Sequence, residues 1–93
     1  MTIEQRMQEF LEQYGDVKME FSSFQGYSIY YTFADTPGNL ASYPNTKISA
    51  YCDISGGGLE GSRFETVKSL KREGFYFVLN DLPINDPDYL GEE

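Results

Sequence analysis

The side chains that most often carry chemistry are thin in this sequence. Histidine is absent, which removes the commonest general base, the commonest zinc ligand and every Ser-His or Cys-His nucleophile pair. The single cysteine, Cys52, lies between Ala50 and Ile54 on the more apolar side of an alternating run, where a free thiol is ordinarily inert packing. Alone it forms no internal disulfide, so a reducing, cytoplasmic setting is expected. Gly56-x-Gly58-x-x-Gly61 follows a strand pattern and opens a helical one, the context in which backbone amides cradle an anion. Asp86-x-Asp88, near Asp81 and Asn85, offers oxygens to calcium. It lacks the glycine and the bidentate glutamate of a helix–loop–helix calcium site, and reads instead as a solvated acidic tail. No carboxylate pair is marked out for acid–base work. The expectation is a protein without catalytic residues, metal or cofactor.

Aromatic residues are the remaining oddity. Eight Tyr and seven Phe make up 16% of the 93 residues, and there is no Trp. Tyr30, Tyr51 and Tyr76 each fall opposite the more apolar positions of their strands, so one sheet face should carry a tyrosine patch. Tyrosine suits protein interfaces because it buries large area with few rotatable bonds and keeps a polar tip. Ordinary cross-strand packing is the competing explanation.

Charge narrows the partners. Fifteen acids against seven bases give a net charge of −8. Residues 1–46 are acidic (net −4), residues 47–80 are near neutral (+1), and residues 81–93 carry five acids and no base. Such a field repels nucleic acid and anionic membrane and attracts a basic protein. It also serves plain solubility. No apolar run approaches the roughly 20 residues that span a bilayer, and the charged start is no signal peptide.

The elements that must position these groups follow from periodicity. Thr2 and Gln5 form a capping box, and Ile3, Met7, Phe10, Leu11 and Tyr14 share about 100° of a helix that Gly15 stops. Val17, Met19 and Phe21 alternate with polar residues; Gln25-Gly26 makes a hairpin turn; Tyr27 to Phe33 reads as a central strand. Residues 35–46 read as the longest loop. From Lys47, alternation places Ile48, Ala50, Cys52 and Ile54 on one face. Ser62 and Glu65 then form a second capping box for a helix over 62–73, with Phe64, Val67 and Leu70 as its stripe and Gly74 as its stop. Phe75 to Leu79 is the last strand.

The segment from the glycines onward resembles half of a Rossmann unit: strand, Gly56-x-Gly58-x-x-Gly61, helix, strand, and Asp81 twenty residues after Gly61 in the ribose-binding place. That resemblance implies nucleotide or small-anion binding through Gly56, Gly58 and Gly61. Glu60 in the loop, Glu65 and Lys68 in the helix, and the presence of only one such unit oppose it. The order α-β-β-β-α over residues 1–73 also resembles a double-stranded-RNA-binding domain, with Arg63, Lys68, Lys71 and Arg72 by the second helix. That family places a dense lysine cluster at the helix start, where only Arg63, Phe64 and Glu65 stand here.

The expected fold is α+β: one domain over 1–93, with a four-stranded mixed or antiparallel sheet, two helices on one face, and residues 82–93 an acidic, loosely ordered tail. The favoured function is a non-catalytic inhibitor or decoy that fills a basic, nucleic-acid-binding site on a partner such as a nuclease. In composition and size the chain is similar to small phage counter-defence (anti-CRISPR) and immunity proteins. The contact residues are Glu9, Glu12, Asp16, Glu20, Tyr30, Tyr51, Tyr76, Asp81, Asp86 and Asp88, on a monomer or small homo-oligomer. The alternative is the anion binder at Gly56, Gly58 and Gly61.

Overall fold

The computed structural model describes residues 2–26, 28–53 and 63–90. Helix α1 (Ile3–Tyr14) starts where the sequence places it. The Thr2 side chain accepts the Gln5 amide, and the Gln5 side chain accepts the Thr2 amide. β1 (Lys18–Gln25) and β2 (Ser28–Phe33) form a hairpin in which Gln25 pairs with Ser28. The turn is therefore centred one residue later than the sequence suggests, beginning at Gly26 with φ +63°. A bulge between Phe21 and Ser23 absorbs one residue of β1.

After α2 (Pro37–Ser42) come β3 (Ile48–Asp53), β4 (Phe64–Thr66), α3 (Val67–Arg72), β5 (Tyr76–Leu79), β6 (Leu82–Pro83) and α4 (Pro87–Leu90). The strands join as one sheet in the order β4-β1-β2-β3-β5-β6, and every neighbouring pair is antiparallel. The sheet thus has six strands, not four, and the described residues carry four helices, not two.

Each departure has a local cause. Residues 64–66, expected inside a helix, pair with β1 instead, so that helix begins only at Val67, with Thr66 as its cap. Phe64 and Thr66 favour a pleated surface, and β1 would otherwise present an unpaired edge. Glu65 accordingly sits in a strand and caps nothing; Ser62 lies outside the described residues. In the stretch expected to be loop, Thr36 accepts the Asn39 amide at 3.1 Å and Pro37 presets the first helical φ, which suffices for α2. The tail is built as well. Asn80 and Asp81 both take positive φ (48° and 71°), as a two-residue type I′ turn requires, and fold β6 back on β5. Ile84 and Asp86 are buried, so residues 82–90 are part of the fold.

Alternation sends Met19, Ile29, Tyr31, Ile48, Ala50, Cys52 and Phe77 to one face of the sheet. There they meet Met7 and Phe10 of α1 and Val67 and Leu70 of α3, all buried in one cluster. Aromatic contacts tie the layers: Phe10 lies 5.3 Å from Phe77, and Tyr31 meets Phe75 edge-on at 5.6 Å. The sequence expectation that Gly74 stops the second helix holds. Gly74 at φ +95° closes α3, its amide donating to Lys71 O and that of Phe75 to Leu70 O.

Buried Asn39 locks α2 to the sheet. Its Nδ2 donates to Lys18 O (2.8 Å) and Ala34 O (2.9 Å), and its Oδ1 accepts from the Lys18 amide (3.3 Å). Asn39→Ala strands these groups and should lower the unfolding free energy by about 2 kcal/mol. Exposed Gln13→Ala should stay within about 0.5 kcal/mol of the parent. Urea midpoints with unchanged slopes check both.

Candidate functional site

The opposite face of the sheet is built from the other half of the alternation. Tyr30, Tyr51 and Tyr76 occupy directly paired positions on β2, β3 and β5, so register alone lines them up across three strands. The Tyr30 and Tyr51 rings stack with centroids 6.2 Å apart, and Tyr51 and Tyr76 lie 5.7 Å apart, tilted. All three are partly buried. Ser28, Asp53, Thr32, Ser49 and Glu20 share the face, and the Ser28 hydroxyl donates to Asp53.

The chain beyond β6 turns over one end of this row. Asn85 fastens it to the sheet edge, its Oδ1 accepting the Phe77 amide at 2.8 Å and its Nδ2 donating to Phe75 O at 3.2 Å. Buried Asp86 then accepts a hydrogen bond from the Tyr51 hydroxyl and another from the Asp88 amide at 2.9 Å. Desolvation, followed by the hydrogen bond and charge of Asp86, holds the Tyr51 phenol well above its ordinary pKa of 10.0. This anchor fixes the Tyr51 ring and brings Tyr89, 72% exposed, to a hollow of about 380 Å³ lined by Tyr30, Tyr51, Val78, Asp81, Pro83 and Tyr89.

The expected contact residues separate into groups. Tyr30, Tyr51, Tyr76 and Glu20 share the open face; Asp81 lines the hollow and Asp88 flanks Tyr89 in sequence. Asp86 is placed there too, but as a buried anchor and not as an exposed contact. Glu9 and Glu12 are not brought there. They line the outer side of α1 with Gln5 and Gln8, while Met7 and Phe10 of that helix face the core on the other side of the sheet. Asp16 pairs with Lys68 at 2.8 Å beside α3. Sequence reasoning missed Tyr89, Val78 and Pro83 as lining. The Asn80-Asp81 pair between apolar Leu79 and Leu82 was the available signal for the turn that brings Pro83 opposite Val78.

The Rossmann-like reading meets an obstacle at the helix. Its β-α-β unit needs parallel strands, whereas β3 and β5 are antiparallel. The first amides of α3 are already used: Val67 N–H donates to Val17 O, Lys68 N–H to Gly15 O, and Ser69 N–H to the Thr66 hydroxyl. No donor of that turn is left for a phosphate. Gly56, Gly58 and Gly61 themselves lie outside the described residues. The RNA-binding resemblance keeps an antiparallel β1-β2-β3 meander, but α2 and β4 interrupt its α-β-β-β-α order, Lys68 is paired to Asp16 and Arg72 donates to Ser69. Cys52 is buried, and burial followed by Asp53 and Glu73 pushes its thiol pKa up, which fits packing. Among the described residues no three Cys, Asp or Glu side chains gather as a metal site, and no helix is long and apolar enough to cross a membrane.

No protein-family model, no curated protein and no solved structure matches this chain.

The Tyr51–Asp86 bond makes stability depend on alkaline pH. Because the folded phenol holds its proton more tightly than the unfolded one, its contribution is complete below pH 10 and is lost as pH rises toward the folded pKa. Tyr51→Phe should lower stability by about 1–2 kcal/mol at pH 7, and this gap should narrow above pH 10. Urea unfolding of both proteins from pH 7 to 11.5 measures the gap.

Proposed function

We propose that this chain is a non-catalytic binding module that fills a basic, nucleic-acid-binding site on a partner protein, as an inhibitor or decoy. The observation that carries the reading is the tyrosine row on the sheet face away from α1 and α3, with Asp81 and Tyr89 lining the hollow at one end. Aromatic area with polar tips is the composition of interface centres, and carboxylates at the rim are what a phosphate-binding site on a partner attracts. Direct contact with nucleic acid is disfavoured by the same charges. Lys18, a base on this face, already lies 5.7 Å over the Phe64 ring, and Lys47 stands toward the other end with Thr32 and Ser49. Glu9, Glu12 and Asp16, on the helix layer, add long-range attraction without contacting the partner.

Capture from extracts of the source cell, with the chain immobilised, tests this. The parent should retain a basic protein that binds nucleic acid when free and not when captured. Tyr30→Ser combined with Tyr89→Ser should weaken capture by about tenfold or more. Glu9→Gln with Glu12→Gln should leave retention at low salt within about threefold. Retention that survives the tyrosine changes, or that is lost with the glutamate pair, overturns the reading.

A further inference from the structure

The hollow at the end of the tyrosine row has a definite chemistry. Two of its walls are Tyr30 and Tyr51, a third is Tyr89, Val78 and Pro83 supply apolar area, and Asp81 is the one charged residue among the described residues that line it. Tyr51 is held from behind by buried Asp86, so its wall is fixed before anything binds. Among the described residues no Lys or Arg lines the space. Lys47, whose amide bonds the Asn80 side chain of the neighbouring turn, lines a separate hollow with Thr32 and Ser49. Aromatic faces with a single carboxylate and no competing base favour a cation that is flat, delocalised and weakly hydrated.

We propose that this hollow receives the guanidinium group of an arginine side chain from the partner protein, stacked on the tyrosine rings and paired with the Asp81 carboxylate. The inference rests on the open face being the contact surface, and it names the group that the face selects. Arginine is favoured over lysine because its planar fork presents two N–H groups to a carboxylate while its face lies on a ring; an ammonium group is a compact, strongly hydrated charge. Asp81 sits on a tight turn with Asn80, both at positive φ, so its carboxylate starts from a constrained backbone.

The test is a titration of the tyrosine-labelled 93-residue chain, followed by the ring signals in NMR spectra. The probes are the blocked peptide acetyl-Gly-Arg-Gly-amide and its citrulline counterpart, which keeps the shape and lacks the charge. The arginine peptide should move the Tyr30, Tyr51 and Tyr89 signals at millimolar concentration, with affinity at least about fivefold above the citrulline peptide. Tyr89→Ala and Asp81→Asn should each weaken it by about threefold or more. Both sites are exposed, and asparagine tolerates the positive φ of position 81, so the fold is kept. Equal response to the two peptides, no response, or indifference to both substitutions overturns the proposal. Partner capture that still depends on Tyr30 and Tyr89 in that event leaves the face as the contact surface and removes only its preference for arginine. Loss of both removes both.

Discussion

A strand offers its side chains two faces, and four adjacent strands of this sheet assign them the same way. Met19, Ile29 and Tyr31, Ile48, Ala50 and Cys52, and Phe77 point toward α1 and α3, and no apolar core residue of these strands is diverted to the other side. Antiparallel pairing keeps the assignment in register from strand to strand, since a slip of one residue would exchange the faces outright. Everything on the second face is therefore what the core leaves over. That Tyr30, Tyr51 and Tyr76 form a continuous row follows from the pairing of Ile29 with Cys52 and Ala50 with Phe77, next to them.

The row gains its shape from the last part of the chain. A sheet that ended at β5 would present an unpaired edge and leave Tyr51 without a partner for its hydroxyl. β6 and Asn85 cover the edge, and Asp86 takes the hydroxyl. Burying a carboxylate is costly unless its oxygens are hydrogen-bonded, and Asp86 has a donor on each of them. One short segment thus closes the sheet, satisfies a buried charge and sets Tyr89 beside Tyr30. At this end the face is shaped by the returning chain, and toward Thr32 and Ser49 by the hollow that Lys47 lines.

How much of this could be read beforehand depends on the range of the interaction. The helix at 3–14, the alternation of the strands and the common side of Tyr30, Tyr51 and Tyr76 are properties of residues a few positions apart, and periodicity carries them. The pairing of Phe64 with Glu20 and of Val78 with Pro83, and the reach of Asp86 to Tyr51, join residues from 5 to 44 positions apart. The glycines looked like a phosphate cradle because strand, glycine and helix signals stood in the right order. What decides the matter at the helix start is that Val17 and Gly15 offer their carbonyls to the first amides of α3. Asp86 and Asp88 differ for the same reason: two acids two positions apart read alike, yet one is buried against a phenol and the other is exposed.

Separating the acids by place also separates what they can do. Helix and sheet layers pack about 10 Å apart, which is about one Debye length at 0.1 M salt. Carboxylates on the outer side of α1, such as Glu9 and Glu12, are therefore largely screened from anything seated on the tyrosine face. They contribute to the field a distant basic protein meets, and so to the rate of encounter. Asp81 lines the hollow and so acts at contact distance on any group seated there, where the separation is smallest. A net charge of −8 is in this sense two quantities: a diffuse one that acts at a distance, and a local one at Asp81 that would act on a cation seated in the hollow.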